Sequence, residues 1–324
     1  MNKAEKPKRH HYITKSYQEL FCIKIKKKRK TKYLFFVYDM KQQKWRPAQP
    51  LNEGVELDFQ KIDHFIGLDP YHFEKSFGVI EGEAVEMIRK IALQKQIPQS
   101  LKEFSPVINL MGLLAGRNVF VRERINRNYR QKTLARLMTI HANKETYYLE
   151  IGRFLSEETG WPIFDKYEES LAFLNAGQFK IQVDSSLVVE EMVNFSIHLV
   201  DFFGSLNWML LEAFDGEFIT SNKPVNAIWS MGVAPYPPAF GLLNSIVVFP
   251  LTSNFSLLGS FSPLPSYRKV DRFIVEGMNW VTANSGATML YAQKQSFLPK
   301  FEGVFHLQVF HRLLYTRLIE KSDA

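Results

Sequence analysis

The chain has 324 residues, a formal net charge of +8, and 46% hydrophobic and 14% aromatic residues, which excludes a wholly disordered or fibrous polypeptide and predicts a globular protein with a substantial core. The charge is polarised: residues 1–46 carry fifteen Lys or Arg against three acids, whereas residues 47–324 carry 26 basic and 30 acidic residues. Cys22 is the single cysteine, which excludes an internal disulfide and a Cys-rich zinc or iron–sulfur centre and makes a reducing cytoplasm the expected location.

The first twenty residues lack the apolar core of a signal peptide, because Lys3, Lys6, Lys8, Arg9 and Lys15 interrupt every run. Arg9-His10-His11-Tyr12 is the most unusual local cluster. Histidine suits a general base, a proton donor or a metal ligand. Successive side chains on an extended chain face opposite ways, so one functional histidine beside a structural neighbour is expected rather than a pair in one site. A surface histidine pair in a basic tail is the plainer alternative. From Leu20 to Lys26, Phe21, Ile23 and Ile25 alternate with Cys22, Lys24 and Lys26, the period of a half-buried strand, and Tyr33–Asp39 reads as its returning partner. The turn between them, 26–32, holds Lys27, Lys28 and Arg29 and is either a polyanion-binding patch or a solvated, self-repelling loop.

Residues 81–214 follow a helical pattern, strongest over Leu187–Phe214, with breaks expected at Pro98, Pro106 and Gly160-Trp161-Pro162. Gly112-x-x-x-Gly116 reads as a packing contact. Arg117, Arg124 and Arg127 are spaced to form a phosphate-facing ridge if they share a helix, or a solvated face. His198 reads as a hydrogen-bonded core residue. His64 and His72 fall in an apparent loop, and His141, His306 and His311 have no supporting acids. The last third reads as an antiparallel sheet: strands at 218–220, 245–249, 255–261 and 289–292, a helix over 271–284, and a segment 304–319 for which helix is preferred to strand. Ser221 and Asn222 at a strand end are placed to bind a ligand or simply to make a turn. Residues 224–267 are uncharged but contain seven prolines, so they do not form a membrane-crossing helix. Nucleotide-binding, P-loop, zincin and α/β-hydrolase motifs are absent. The expected class is α+β in a single domain, 1–324, with a basic hairpin lobe at 1–60, a helical lobe at 61–214 and a mixed lobe at 215–324.

The order of these pieces resembles the DUF4238 family of bacterial and archaeal proteins, a domain of unknown function. The resemblance spans most of the chain. It rests on Arg9-His10-His11-Tyr12-Ile13 with Tyr17 and Phe21, Val37-Tyr38-Asp39, Ile80-Glu81, Arg117, the 218–225 segment, Phe249-Pro250-Leu251, Asn279 and Met289-Leu290-Tyr291. The family resemblance implies a proline where Thr14 stands and Asp-Asn where Asn222-Lys223 stand. No activity comes with it, so three readings follow. The first is a nucleic-acid-processing enzyme, a nuclease with Mg²⁺ or Mn²⁺, using His10 or His11 and Glu81 for catalysis. In it Arg9, Arg117, Ser221 and Asn222 hold phosphate or substrate, and Lys27, Lys28 and Arg29 track the backbone. The second is a non-catalytic module for nucleic acid or an acidic protein partner. The third is a small-molecule site lined by the uncharged 224–267 region with Trp229, Tyr236 and Phe240. The sequence does not specify an oligomeric state.

Overall fold

The computed structural model describes residues 9–27, 30–62, 71–154, 166–229 and 238–295. The fold is α+β, with N-terminal strands, a helical centre and a C-terminal sheet with its own helix. β1 (Arg9–His11) leads into the four-residue helix α1 (Lys15–Gln18), which Thr14 caps by accepting the Tyr17 N–H at 3.1 Å, and a 3-10 turn closes at Phe21. β2 (Ile23–Lys27) and β3 (Lys30–Asp39) form the hairpin, followed by β4 (Lys44–Ala48) and β5 (Val55–Leu57), which pairs with β1. Gly54 lies just before β5 with φ +63°, and a side chain there would meet Ile13 at 2.9 Å; its carbonyl instead accepts the Tyr12 N–H at 2.9 Å. The hairpin departs from expectation in two ways. Leu20 and Phe21 belong to the 3-10 turn, where Phe21 is buried, and Ile23 and Ile25 are 40% and 43% exposed, so β2 has no buried face. β2 is an edge strand with β3 as its one neighbour, so nothing among the described residues covers those isoleucines.

The helices are α2 (His72–Gln94), α3 (Leu101–Gly116), α4 (Val119–Ile140), α5 (Lys144–Phe154), α6 (Tyr167–Ala176) and α7 (Ser185–Gly204). Pro106 does not end α3. The Lys102 carbonyl that it leaves without an N–H accepts the Ser105 hydroxyl at 2.9 Å, so the turn stays satisfied. Gly112 and Gly116 let α3 close on α7: an added Cβ would lie 2.8 Å from the Ser196 carbonyl and 2.9 Å from the Ser196 Cα respectively. The helix expected over 187–214 stops at Gly204. β6 (Asn207–Ala213) then begins, because Met209, Leu210 and Leu211 are each wholly buried between two layers, where an apolar strand fits as well as a helix stripe. His198 is exposed, not a core residue, and His72 starts α2 rather than lying in a loop. His64, Gly160-Trp161-Pro162 and the 304–319 segment lie outside the described residues.

The remaining elements are β7 (Thr220–Ser221), β8 (Asn226–Trp229), β9 (Ser245–Pro250), β10 (Phe255–Ser260), β11 (Tyr267–Val270), α8 (Arg272–Asn284) and β12 (Met289–Ala292). One five-stranded sheet runs β11-β6-β10-β9-β8, antiparallel except for the parallel β11–β6 pair; the other runs β2-β3-β12-β7, with β4 on β3. The first sheet is covered on both faces. Leu210, Val247, Phe249 and Leu257 join the core shared with α3 and α7, while Met209, Ile246, Val248 and Leu258 face Ile274, Val275 and Met278 of α8. This explains why β9 reads as an unbroken apolar run. Among the described residues, no single helix is long and apolar enough to cross a membrane.

Candidate functional site

β1 points His10 and His11 in opposite directions. His10 is 1% exposed. Its Nδ1 accepts the Gln60 N–H at 3.0 Å, which places the ring proton on Nε2, 2.8 Å from Glu74 Oε2 on α2. Tyr71 meets the ring edge-on at 5.4 Å. Both ring nitrogens therefore have protein partners, and His10 ties the N-terminal strand to α2. His11 is half-buried, with Nε2 3.3 Å from the Pro50 carbonyl, to which it donates. Burial pushes its pKa down, the Pro50 bond opposes this, and the charges of Arg9, Lys15 and Arg117 add to the lowering. A histidine with a lowered folded pKa favours the native state while neutral. His11 therefore contributes stability above its unfolded value, near 6.5, and that contribution is lost as pH falls. Urea denaturation from about pH 7 to about pH 5 is expected to show a steeper stability loss for wild type than for His11→Gln; equal slopes would contradict this.

Arg117 does not share a helix with Arg124 and Arg127. It caps the end of α3, is 3% exposed, and places one guanidinium nitrogen 2.7 Å from Glu81 Oε1, with its centre 4.6 Å over the Phe77 ring. Burial raises the Glu81 pKa against the opposing pull of Arg117. This ion pair fastens α2 to α3, as His10 and Glu74 fasten α2 to β1. Arg9 is exposed and reaches the Leu51 carbonyl at 3.4 Å. Lys27 ends β2 opposite Lys30, while Lys28 and Arg29 lie outside the described residues.

The strand end around β7 meets the N-terminal motif from the other side. Tyr17 bonds Thr220 Oγ1 at 2.8 Å, and the Tyr12 hydroxyl has a side-chain hydrogen bond with Asn222. Burial raises the Tyr12 pKa against that bond. Ser221 is fully buried and its Oγ accepts the Lys223 N–H at 3.0 Å, which is a serine turn. Asn222 uses both ends of its amide: Oδ1 accepts the Thr288 and Met289 N–H groups at 3.0 and 3.2 Å, and Nδ2 donates to Thr288 Oγ1 at 2.7 Å. A carboxylate at this position would lose the donor.

The concavity of the molecule lies one residue further on. A cavity of about 690 Å³ opens between the α3–α4 junction, α7, β8 and α8. Asn118 organises one wall: its Oδ1 accepts the Phe120 and Val121 N–H groups that begin α4, and its Nδ2 donates to the Leu114 and Ala115 carbonyls. Arg124, at the exposed rim, stacks over Phe195 at 5.5 Å. Lys223 is half-buried and donates to the Ser285 carbonyl at the end of α8. Among the described residues neither cation has a carboxylate partner. Burial lowers the Lys223 pKa, and the charge of Arg124 lowers it further. Leu199, Phe240 and Trp280 supply apolar wall.

Asn226 also lines this cavity and is 2% exposed. Its Nδ2 donates to the Pro224 carbonyl at 3.3 Å, whereas its Oδ1 has no partner among the described residues. Sequence reading singled out Arg124 and Phe240 but not Lys223, Asn226 or Trp280. The usable signal was Lys223 itself, a lone cation at the head of an uncharged stretch. Trp229 is buried and does not line the cavity, and Tyr236 lies outside the described residues.

Among the described residues no group of three or more His, Cys, Asp or Glu is placed to hold a metal ion. A family model described as a protein of unknown function, DUF4238, matches residues 9–296. No curated protein and no solved structure matches the chain.

Proposed function

Since the chain belongs to the DUF4238 family, whose description assigns no activity, we propose from the site alone that the protein binds a small anionic molecule in the cavity between Arg124 and Lys223. The carrying observation is the half-buried Lys223, which shares a concavity with a second cation and has no carboxylate to offset it among the described residues. Partial burial of a charge is unfavourable unless it is compensated, and a bound anion supplies that compensation. The volume is that of an ordinary small-molecule site, and the walls combine aromatic surface with few polar groups, as such sites do. His10 and Glu81, expected to supply nuclease chemistry, are each engaged with a protein partner, so we propose binding rather than cleavage.

Thermal denaturation tests this reading. Ligand present at roughly 100 times its Kd stabilises the native state by about 2.7 kcal/mol. Small aromatic and aliphatic carboxylates and phosphates are expected to raise the Tm of wild type while their neutral amides or alcohols do not, and Lys223→Met is expected to remove the difference. Equal shifts from acids and neutral analogues would refute it.

The hairpin supports a second reading. Lys24, Lys26 and Lys32 are exposed on β2 and β3, and no carboxylate is paired with them. We propose this edge as a contact for nucleic acid or another polyanion. Its affinity then falls steeply with salt as counterion release is suppressed.

A further inference from the structure

We infer that the anion recognised by this cavity also carries a hydrogen-bond donor, a hydroxyl or N–H, and that Asn226 reads it. The inference rests on the cavity being a ligand site and adds the chemical class of the ligand. Asn226 begins β8, where its backbone is fixed opposite Val248 of β9. Donation of Nδ2 to the Pro224 carbonyl sets the orientation of the amide and leaves Oδ1 as an acceptor at the cavity wall. A buried carbonyl oxygen without a donor is costly and uncommon in a folded protein, so one that lines a cavity marks where a donor belongs. An anionic head cannot fill this role, because carboxylate and phosphate oxygens are acceptors like Oδ1 itself.

Lys223 and Asn226 are separated by Pro224 and Val225 on one short segment, so the anion and its donor are bound side by side. Phe195, Leu199, Phe240 and Trp280 then take an apolar body. The class is an amphipathic acid bearing a hydroxyl or N–H, rather than a plain fatty or aryl acid.

Matched ligands decide this without altering the protein. Calorimetric titration of the full chain would compare phenylacetate with 4-hydroxyphenylacetate and 4-methoxyphenylacetate, and octanoate with 3-hydroxyoctanoate and 3-methoxyoctanoate. The neutral 2-(4-hydroxyphenyl)ethanol serves as the uncharged control. The two hydroxy acids place the donor far from and near to the head. In at least one series the hydroxy acid is expected to bind about 10- to 100-fold more tightly than both its deoxy and methoxy analogues, the consequence of leaving Asn226 unpaired. The preference is expected to disappear in Asn226→Leu. Equal binding within both series overturns the inference, since an ordered water would then serve Asn226, and leaves the cavity reading standing. Acids that bind no better than the neutral alcohol overturn both.

Discussion

Lys223→Met is expected to weaken binding of a small acid roughly 10- to 150-fold, because a charge-assisted hydrogen bond in a partly buried site contributes about 1.5–3 kcal/mol. Lys223 also donates to the Ser285 carbonyl, so a loss of binding through a disturbed α8 terminus must be separated from a loss of charge. Lys223→Arg makes that separation: it keeps the charge and its affinity should stay within several-fold of wild type. The pH profile carries the same information. Burial and Arg124 hold the Lys223 pKa below its ordinary 10.5, so the ammonium is lost at lower pH than in an exposed lysine. Anion affinity therefore falls as pH rises through that lowered value, whereas Lys223→Arg should bind evenly across the same range. A wild-type affinity that rises with pH there would assign the anion site to other groups.

Tyr17→Ala is expected to destabilise the protein by about 3–5 kcal/mol, the range for removing a large buried aromatic side chain. Tyr17 is fully buried, its ring stacks on Phe249 and meets Phe21 edge-on, each at 5.4 Å, and its hydroxyl reaches Thr220 Oγ1 and the Pro250 carbonyl at 2.8 and 2.7 Å. One residue thus joins α1 to β7 and β9, the two strands that flank the Lys223–Asn226 segment. Tyr17→Phe isolates the hydroxyl and should cost about 1–3 kcal/mol, since the Pro250 carbonyl is left buried without its donor. Equilibrium urea denaturation measures both. A Tyr17→Phe protein as stable as wild type would show that the hydroxyl does not hold the motif in place.

The N-terminal motif was legible as a cluster, and the structure shows why its chemistry was not. His10 and Arg117 are the residue types of a catalytic site, yet their partners, Glu74 and Glu81, stand two turns apart on α2, and no local pattern announces which acid a distant cation will meet. The strands and helix of the last third were readable because Asp271 caps α8 and proline or glycine closes most runs. The helix drawn through Leu206 and Leu210 failed where a stretch buried on both faces has no periodicity of its own. The cavity was the least legible feature. It gathers Arg124, Phe195, Lys223, Asn226 and Trp280 from four parts of the chain, and each taken alone reads as a surface charge, a core aromatic or a turn. The uncharged 224–267 stretch hinted at it, but composition does not separate a ligand wall from a buried sheet edge.

The most direct test is isothermal titration of a small acid and its neutral amide against wild type and the Arg124→Met/Lys223→Met double variant, with the fold of each protein checked by circular dichroism. The acid is expected to bind wild type at a single site, the amide to bind at least tenfold more weakly, and the double variant to lose that discrimination while remaining folded. Equal affinity of the acid for wild type and the folded double variant would contradict an anion site in this cavity.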